Sequence, residues 1–178
     1  MLEHVDRRTA AGKRDYAILL LLVTYGLRAR EVAALTLDDL DWKRDRLRIP
    51  EWKAGHSTAY PLSPTVGTAL VDYLQHGRPS TTERHVFFRV LAPRAPLTTH
   101  AVASRAAYYL NRAGVVGPRL GSHTLRHTCV QRLVDADIPF AVIGQYVGHR
   151  APESTETYAK VATAALREVA LGDGEAIL

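Results

Sequence analysis

Cysteine is almost absent from the 178-residue chain, in which Cys129 stands alone. A single cysteine excludes an intramolecular disulfide and a cysteine-rich zinc site, and it suits a reducing cytoplasm. Long apolar runs are also missing, since the run from Ala17 to Val23 is far shorter than the ~20 residues that span a bilayer. No signal peptide is evident at the N-terminus. The composition therefore predicts a cytoplasmic protein without a membrane span.

The residues that are abundant indicate one globular domain with a basic surface. Apolar residues make up 47% of the chain, and 23 Lys and Arg outnumber 18 Asp and Glu to give a formal charge of +5. This charge favours a polyanionic partner, although ribosomal and membrane-surface proteins share it. We expect a leader over residues 1–12, a core over 13–171 and a tail over 172–178.

Hydrophobic periodicity and turn residues predict a mostly α fold with a small antiparallel β-sheet (α+β). Gly26 is expected to cap the first helix, residues 37–41 to form a turn, and residues 76–98 to form a long connection. Strands are predicted over residues 46–49 and 58–62, and helices over residues 13–25, 29–35, 64–75, 99–111, 122–135, 139–147 and 162–171.

Several polar residues stand at the ends of these elements. Arg28 follows a glycine-defined turn, with Glu31 three residues on, on the same helical face. His123 and Arg126 are also three apart on one face of a helix. Each pair alone is equally typical of a solvated helix end, where Ser122 would be the N-cap.

The remaining candidates are weak when they are taken singly. His149 follows Gly148 at a predicted helix end, where histidine is commonly a cap. A lone tyrosine such as Tyr158 is more often a packing residue than a nucleophile. Lys53 lies at the tip between the two predicted strands.

Taken together, the order Arg, Lys, His-x-x-Arg, His, Tyr resembles the tyrosine recombinase family, also called the phage integrase family. His123 and His149 are 26 positions apart, and Tyr158 follows nine later, both typical of that family. The resemblance runs from about Arg14 to Leu171 and implies a tyrosine recombinase catalytic-domain-like fold. The matching stretches are Gly26-Leu27-Arg28-x-x-Glu31, His123-x-x-Arg126-His127, Gly148-His149 and Thr155-x-x-Tyr158.

Two stretches depart from the family pattern. Tyr146 and Val147 precede Gly148 where the family usually has leucine, and Tyr146, a rival nucleophile, is expected to face the core. Lys53 is the loosest match, because an unusual Pro50-Glu51-Trp52 precedes it. Lys43 is the alternative lysine.

Metal-free cleavage of a phosphodiester requires stabilisation of negative charge on the phosphoryl oxygens. Two guanidiniums, Arg28 and Arg126, can supply it and stay charged at any working pH. The sequence offers no carboxylate or Cys/His cluster suited to Mg²⁺ or Zn²⁺, so neither a metal nor another cofactor is expected. Arginines in place of a metal are what the resemblance implies.

The resemblance also implies a role for each candidate side chain. Tyr158 would be the nucleophile that forms a 3′-phosphotyrosine linkage, so that no ATP is required. His123 is the candidate base, His149 a donor to a phosphoryl oxygen, and Lys53 the acid that protonates the departing 5′-oxygen. Glu31 would orient the cationic cluster. His127 is expected to be structural, and Cys129 to be a small buried residue.

Double-stranded DNA is the expected partner, and the nucleoid the expected location. The helix over residues 162–171 carries an apolar stripe, which either packs on its own domain or, as in the family, docks onto a neighbouring protomer. About a dozen residues precede the first helix, so the family's N-terminal DNA-clamping domain is expected to be absent.

Three other functions remain open at this point. The chain could be a DNA-binding or regulatory fragment of a recombinase without independent activity. It could also relax supercoils as a type IB topoisomerase does. A basic phosphatase-like or ribosomal protein would form no covalent adduct with DNA.

Overall fold

A computed structural model describes residues 1–50 and 57–147. These residues form six helices, three strands and two short 3-10 turns, Leu2–His4 and Leu37–Asp39. The predicted α+β fold with a small antiparallel sheet is therefore confirmed. In chain order the elements are α1 (Ala10–Tyr25), α2 (Ala29–Ala34), β1 (Leu40–Asp41), β2 (Arg46–Pro50), β3 (Ser57–Pro61), α3 (Pro64–His76), α4 (Thr99–Arg112), α5 (Ser122–Asp135) and α6 (Phe140–Tyr146). The helix predicted over residues 162–171 lies outside the described residues.

Helix α1 is the centre of the hydrophobic core. It begins three residues earlier than predicted, because the Thr9 hydroxyl accepts a hydrogen bond from the Gly12 N–H at 3.0 Å and caps the first turn. It ends at Gly26 as predicted, with φ of 62° in the left-handed region. Side chains from Ile18 to Leu22 are fully buried on all sides, between α3 and α5.

The sheet contains one strand more than the sequence predicted. Residues 37–41, predicted as a turn, form a 3-10 turn followed by β1, which pairs antiparallel with β2. Leu40 lies opposite Leu47, and both are buried, so the pairing places two apolar side chains on the core face. Strand β3 pairs with the other edge of β2, where Tyr60 lies opposite Leu47.

The connection between α3 and α4 sends its apolar insert into the core. Its apolar insert, Val86 to Phe88, is buried, and the Val86 N–H donates to the Leu35 carbonyl at 2.8 Å. Arg14 on α1 donates to the Phe88 carbonyl at 3.0 Å and forms a buried ion pair with Asp15 at 2.7 Å. The connection is thereby fixed to the middle of the fold.

This packing brings three helix ends together: the end of α1, the start of α2 and the start of α5. Helix α1 packs on α5, and α2 packs on α4. Within the described ranges, no helix has both the length and the apolar character that crossing a membrane requires.

Candidate functional site

Arg28 occupies the N-cap position of α2, immediately after the glycine turn that ends α1. Its backbone N–H donates to Glu31 Oε2 at 2.7 Å, and its Nη1 donates to Glu31 Oε1 at 2.8 Å. One carboxylate therefore holds both the backbone and the guanidinium of Arg28, whose side chain remains about one-third exposed. Glu31 thus fixes the position of Arg28, and its role in orienting the cationic cluster stays a prediction.

Arg126 on α5 reaches across to two other segments. Its Nη1 donates to the Gly26 carbonyl and its Nη2 to the Val147 carbonyl. Burial and then the nearby charge of Arg28 lower the pKa of Arg126, whereas Glu31 acts in the opposite direction. The fold thus brings together two arginines that are 98 positions apart in the sequence.

His123 is exposed at the start of α5, where it lines the same surface pocket as Arg28 and Thr99, of about 370 Å³. The N-cap of this helix is Gly121, and Ser122, expected in that position, is instead its buried first residue. Thr124 Oγ1 accepts the Gly121 N–H at 3.3 Å and stabilises the turn.

His127 and Cys129, which follow His123 and Arg126 on α5, differ in their surroundings. His127 is exposed and has no hydrogen-bond partner within the part of the chain described, so no contact supports the structural role expected for it. Cys129 is buried, its Sγ donates to the Thr24 carbonyl at 3.4 Å, and burial raises its pKa to about 11. The prediction of a small buried residue is confirmed.

Tyr146 closes α6 from inside the core, as predicted. Its hydroxyl donates to the Thr24 carbonyl at 3.2 Å, and burial raises its pKa well above the ordinary value. The phenol is therefore neither accessible nor readily ionised, which argues against Tyr146 as the nucleophile. Its own carbonyl accepts a hydrogen bond from the Tyr60 hydroxyl at 2.5 Å.

Three of the predicted catalytic residues, Lys53, His149 and Tyr158, lie outside the described residues. The alternative lysine, Lys43, lies on the exposed turn between β1 and β2. The structure therefore describes four of the predicted site residues, namely Arg28, Glu31, His123 and Arg126.

Sequence reasoning missed the backbone contacts of this site. The carbonyls of Gly26 and Val147 and the hydroxyl of Tyr60 were not singled out, because a carbonyl acceptor leaves no trace in residue type. Tyr60 did carry one signal, since it is the large apolar residue of a short strand. That pattern indicates burial and does not reveal the partner of the hydroxyl.

The charges of the site are suited to an anion. Arg28 and Arg126 repel one another at close range, and Glu31 offsets that repulsion only in part. A phosphodiester between the guanidiniums would relieve the repulsion and accept hydrogen bonds from both. Within residues 1–50 and 57–147, no cluster of three His, Cys, Asp or Glu side chains could hold a metal ion.

The fold is that of a tyrosine recombinase catalytic domain. The crystal structure of the XerH site-specific recombinase bound to palindromic difH superposes with a TM-score of 0.72 at 19% identity, covering 95% of this chain and 49% of that one. The XerA recombinase superposes with a TM-score of 0.68 at 22% identity, covering 89% of this chain and 57% of that one.

The chain belongs to the phage integrase family, whose sequence profile matches residues 1–165. The protein y4gC of Sinorhizobium fredii, which carries the name integrase/recombinase, is 41% identical over 92% of this chain and 85% of its own length. Tyrosine recombinase XerC 2 of Ralstonia nicotianae is 32% identical over 95% of this chain and 49% of its own length. Apart from y4gC, the chain spans about half the length or less of these relatives, 42% in the case of the S. fredii protein y4rA.

Proposed function

We propose that this chain cleaves and rejoins DNA strands at specific sites through a 3′-phosphotyrosine intermediate formed on Tyr158. The observation that carries the proposal is the pair Arg28 and Arg126. The fold brings them from distant segments close enough for the charge of Arg28 to lower the pKa of Arg126, and each is held by its own hydrogen bonds. Family membership supplies the reaction class, and the arginine pair supplies a place for the scissile phosphate.

In the proposed reaction the Tyr158 oxygen attacks phosphorus, and the bond from phosphorus to the 5′-oxygen breaks. His123 accepts the phenolic proton, and Lys53 donates a proton to the departing 5′-oxygen. Arg28, Arg126 and His149 donate hydrogen bonds to the phosphoryl oxygens, and Glu31 keeps Arg28 in orientation. Strand joining reverses these steps, so the phosphate-ester energy is conserved without ATP.

His123 is suited to this role by its position at the pocket that Arg28 also lines. An exposed imidazole at that edge can reach a bound strand and exchange its proton with solvent.

The direct test is a nicked suicide DNA that carries candidate sites, incubated with the wild-type chain and with Tyr158→Phe. The wild type should form an adduct that survives denaturation, whereas Tyr158→Phe should bind DNA equally well and form none, because only the phenolic oxygen is lost. Tyr146→Phe is the matched control and should keep the adduct. An adduct that persists in Tyr158→Phe contradicts the assignment, and relaxation of supercoiled DNA without any preferred site would indicate a topoisomerase.

Self-association on DNA is the second part of the proposal. An apolar stripe over residues 162–171 would dock on a neighbouring protomer once two proteins occupy adjacent half-sites. Binding to chromosomal DNA would locate the enzyme at the nucleoid. Cross-linking on DNA with one and with two half-sites tests this. Cross-linked dimers are expected only on the DNA with two half-sites. If a variant that lacks residues 162–178 still forms these dimers, this segment is not the contact.

A further inference from the structure

The backbone at the end of α6 is held by side chains from two other elements. The Tyr60 hydroxyl donates to the Tyr146 carbonyl at 2.5 Å, and Arg126 Nη2 donates to the Val147 carbonyl. The last carbonyls of a helix have no partner within the helix, so these bonds satisfy acceptors that would otherwise be unpaired. In the sequence, Gly148 and His149 follow directly.

Two consecutive carbonyls held in this way define the path of the chain. Each peptide unit is planar, so fixing its oxygen restricts the orientation of the whole unit. Tyr60 fixes the unit that joins Tyr146 to Val147, and Arg126 fixes the unit that joins Val147 to Gly148. The dihedral angles of Val147 lie between these two units, so both bonds together determine the direction in which the chain leaves α6.

The Tyr60 hydroxyl is well placed to be a fixed donor. Tyr60 is only 5% exposed, with the ring of Tyr25 at 5.3 Å and the ring of Tyr146 nearly perpendicular to it at 5.1 Å. These two rings prevent the phenol from turning away from its acceptor. Burial raises its pKa, so the proton that forms the hydrogen bond is retained at neutral pH.

Tyr60 also lies on the strand that follows residues 51–56, the segment that contains Lys53. Its hydroxyl therefore connects β3 directly to the end of α6, across 86 positions of sequence. Arg28, Glu31 and Arg126 all lie close enough to influence its ionisation. Tyr60 thus lies near the arginine pair and contacts the end of α6, which His149 follows in the sequence.

We infer that Tyr60 is a positioning residue for strand cleavage: its hydroxyl fixes the end of α6 and thereby the approach of His149 to the scissile phosphate. This inference rests on the proposed function, in which His149 donates to a phosphoryl oxygen. Tyr60 itself is buried and would act through α6 rather than by contact with DNA.

The test compares Tyr60→Phe with Tyr73→Phe. Tyr73 is an equally buried tyrosine on α3 whose hydroxyl accepts the Phe88 N–H at 3.2 Å, so each variant loses one buried hydroxyl and one hydrogen bond to backbone. Both variants should lower the melting temperature slightly and bind half-site DNA as the wild type does. Single-turnover cleavage at saturating DNA should fall about tenfold in Tyr60→Phe and less than about twofold in Tyr73→Phe.

A double-mutant cycle with His149→Ala separates positioning from general destabilisation. A substrate with a 5′-bridging sulfur keeps the slow variants measurable, because a thiolate leaves without a proton. If Tyr60 acts through His149, Tyr60→Phe should cost about tenfold in the wild-type background and less than about twofold when His149 is already alanine. Equal losses in both backgrounds, or no loss in either, would overturn the inference.

Hydrogen exchange provides a readout that does not depend on activity. The Val147 N–H donates to the Ile143 carbonyl at 3.0 Å, and its exchange reports on the last turn of α6. It should exchange faster in Tyr60→Phe than in Tyr73→Phe, and equal rates would show that Tyr60 does not anchor this helix end. If the wild type cleaves no DNA, the proposed function is wrong. Hydrogen exchange still decides whether the Tyr60 hydroxyl holds the end of α6.

Discussion

Arg126 illustrates how one side chain can serve both the fold and the site. A guanidinium has five N–H donors, and two of those of Arg126 bond to the carbonyls of Gly26 and Val147. Its other N–H groups have no acceptor within residues 1–50 and 57–147, and in the proposed function they donate to the bound phosphate. The backbone bonds fix the plane of the guanidinium, so little conformational entropy is lost when phosphate binds.

We predict that Arg126→Lys lowers DNA cleavage by about 100-fold or more, because one ammonium cannot bond to two carbonyls and also present a planar fork to phosphate. It should also lower the free energy of unfolding by about 2 kcal/mol, since at least one carbonyl loses its partner. Single-turnover cleavage, corrected for the folded fraction by circular dichroism, checks the first effect, and urea unfolding checks the second. Arg44→Lys, on a side chain that is 72% exposed, is the control and should change neither. Near-normal cleavage in Arg126→Lys would reduce Arg126 to a structural role.

Lys53 is a candidate whose role can be tested through the leaving group. Lys53→Ala should abolish cleavage of ordinary DNA but cleave a substrate with a 5′-bridging sulfur, because a thiolate departs without a proton. Lys43→Ala, on the exposed β1–β2 turn, is the matched control and should cleave both substrates normally. If Lys43→Ala instead loses cleavage of ordinary DNA and regains it with the sulfur substrate, Lys43 is the acid. If the sulfur substrate restores cleavage in neither variant, neither lysine is the acid.

At the scale of elements, the turn between α1 and α2 combines a left-handed backbone with close packing. Gly26 has φ of +62°, and a Cβ there would lie 3.2 Å from Cys129 Sγ and 3.5 Å from Val147 Cγ1. The close approach is what allows Arg126 to reach the Gly26 carbonyl while Arg28 begins the next helix. The left-handed backbone thus favours glycine at this position, and a Cβ would also require Cys129 to shift by a few tenths of an ångström.

Gly26→Ala should therefore lower the free energy of unfolding by about 3 kcal/mol, from left-handed backbone strain together with overpacking. Gly114→Ala is a matched control, because Gly114 also has positive φ, +74°, but has open space around it. That variant should lose only about 1 kcal/mol, the backbone contribution alone. Urea unfolding of both variants measures the difference. Equal losses in the free energy of unfolding would show that the contacts with Cys129 and Val147 do not add to the cost of the substitution.

At the scale of the whole molecule, burial of ionisable side chains makes the stability depend on alkaline pH. Burial raises the pKa of Cys129 from 9.0 to about 11, and that of Tyr25 from 10.0 to about 12. In the unfolded chain these groups lose their protons first, so the folded state binds more protons over this range. Its stability must then fall as pH rises above about 9.

We predict that the free energy of unfolding decreases between pH 8 and pH 10.5, with Cys129 alone contributing about 2 kcal/mol of the decrease. Urea unfolding at the two pH values measures it. Cys129→Ala should have a lower free energy of unfolding at both pH values, because it leaves a small cavity. The decrease in its free energy of unfolding between the two pH values should be smaller than that of the wild type by about 2 kcal/mol. A decrease that is the same in Cys129→Ala and wild type would mean that the thiol ionises normally in the folded state.

The sequence by itself determined the features that depend on near neighbours in the chain. The bounds of α5 agree with the prediction, the end of α1 at Gly26 is confirmed, and α2, α3 and α4 differ from it by one residue. Helical periodicity, capping and left-handed glycine turns act over a few residues, so the local sequence contains all that they require. The pairing of Arg28 with Glu31 belongs to the same category, because three positions along a helix place two side chains together.

Only the tertiary structure decided which distant groups meet. Strand β1 exists because Leu40 can pair with Leu47, and the apolar insert before α4 is held in the core where Val86 bonds to Leu35. Arg126 finds its acceptors 100 and 21 positions away, and Tyr60 finds its acceptor 86 positions away. The acceptors of Arg126 and Tyr60 are backbone carbonyls that helix ends leave unpaired. Every residue type possesses such a carbonyl, so residue identity cannot reveal these acceptors. Only the packing of the helices brings them within hydrogen-bonding distance.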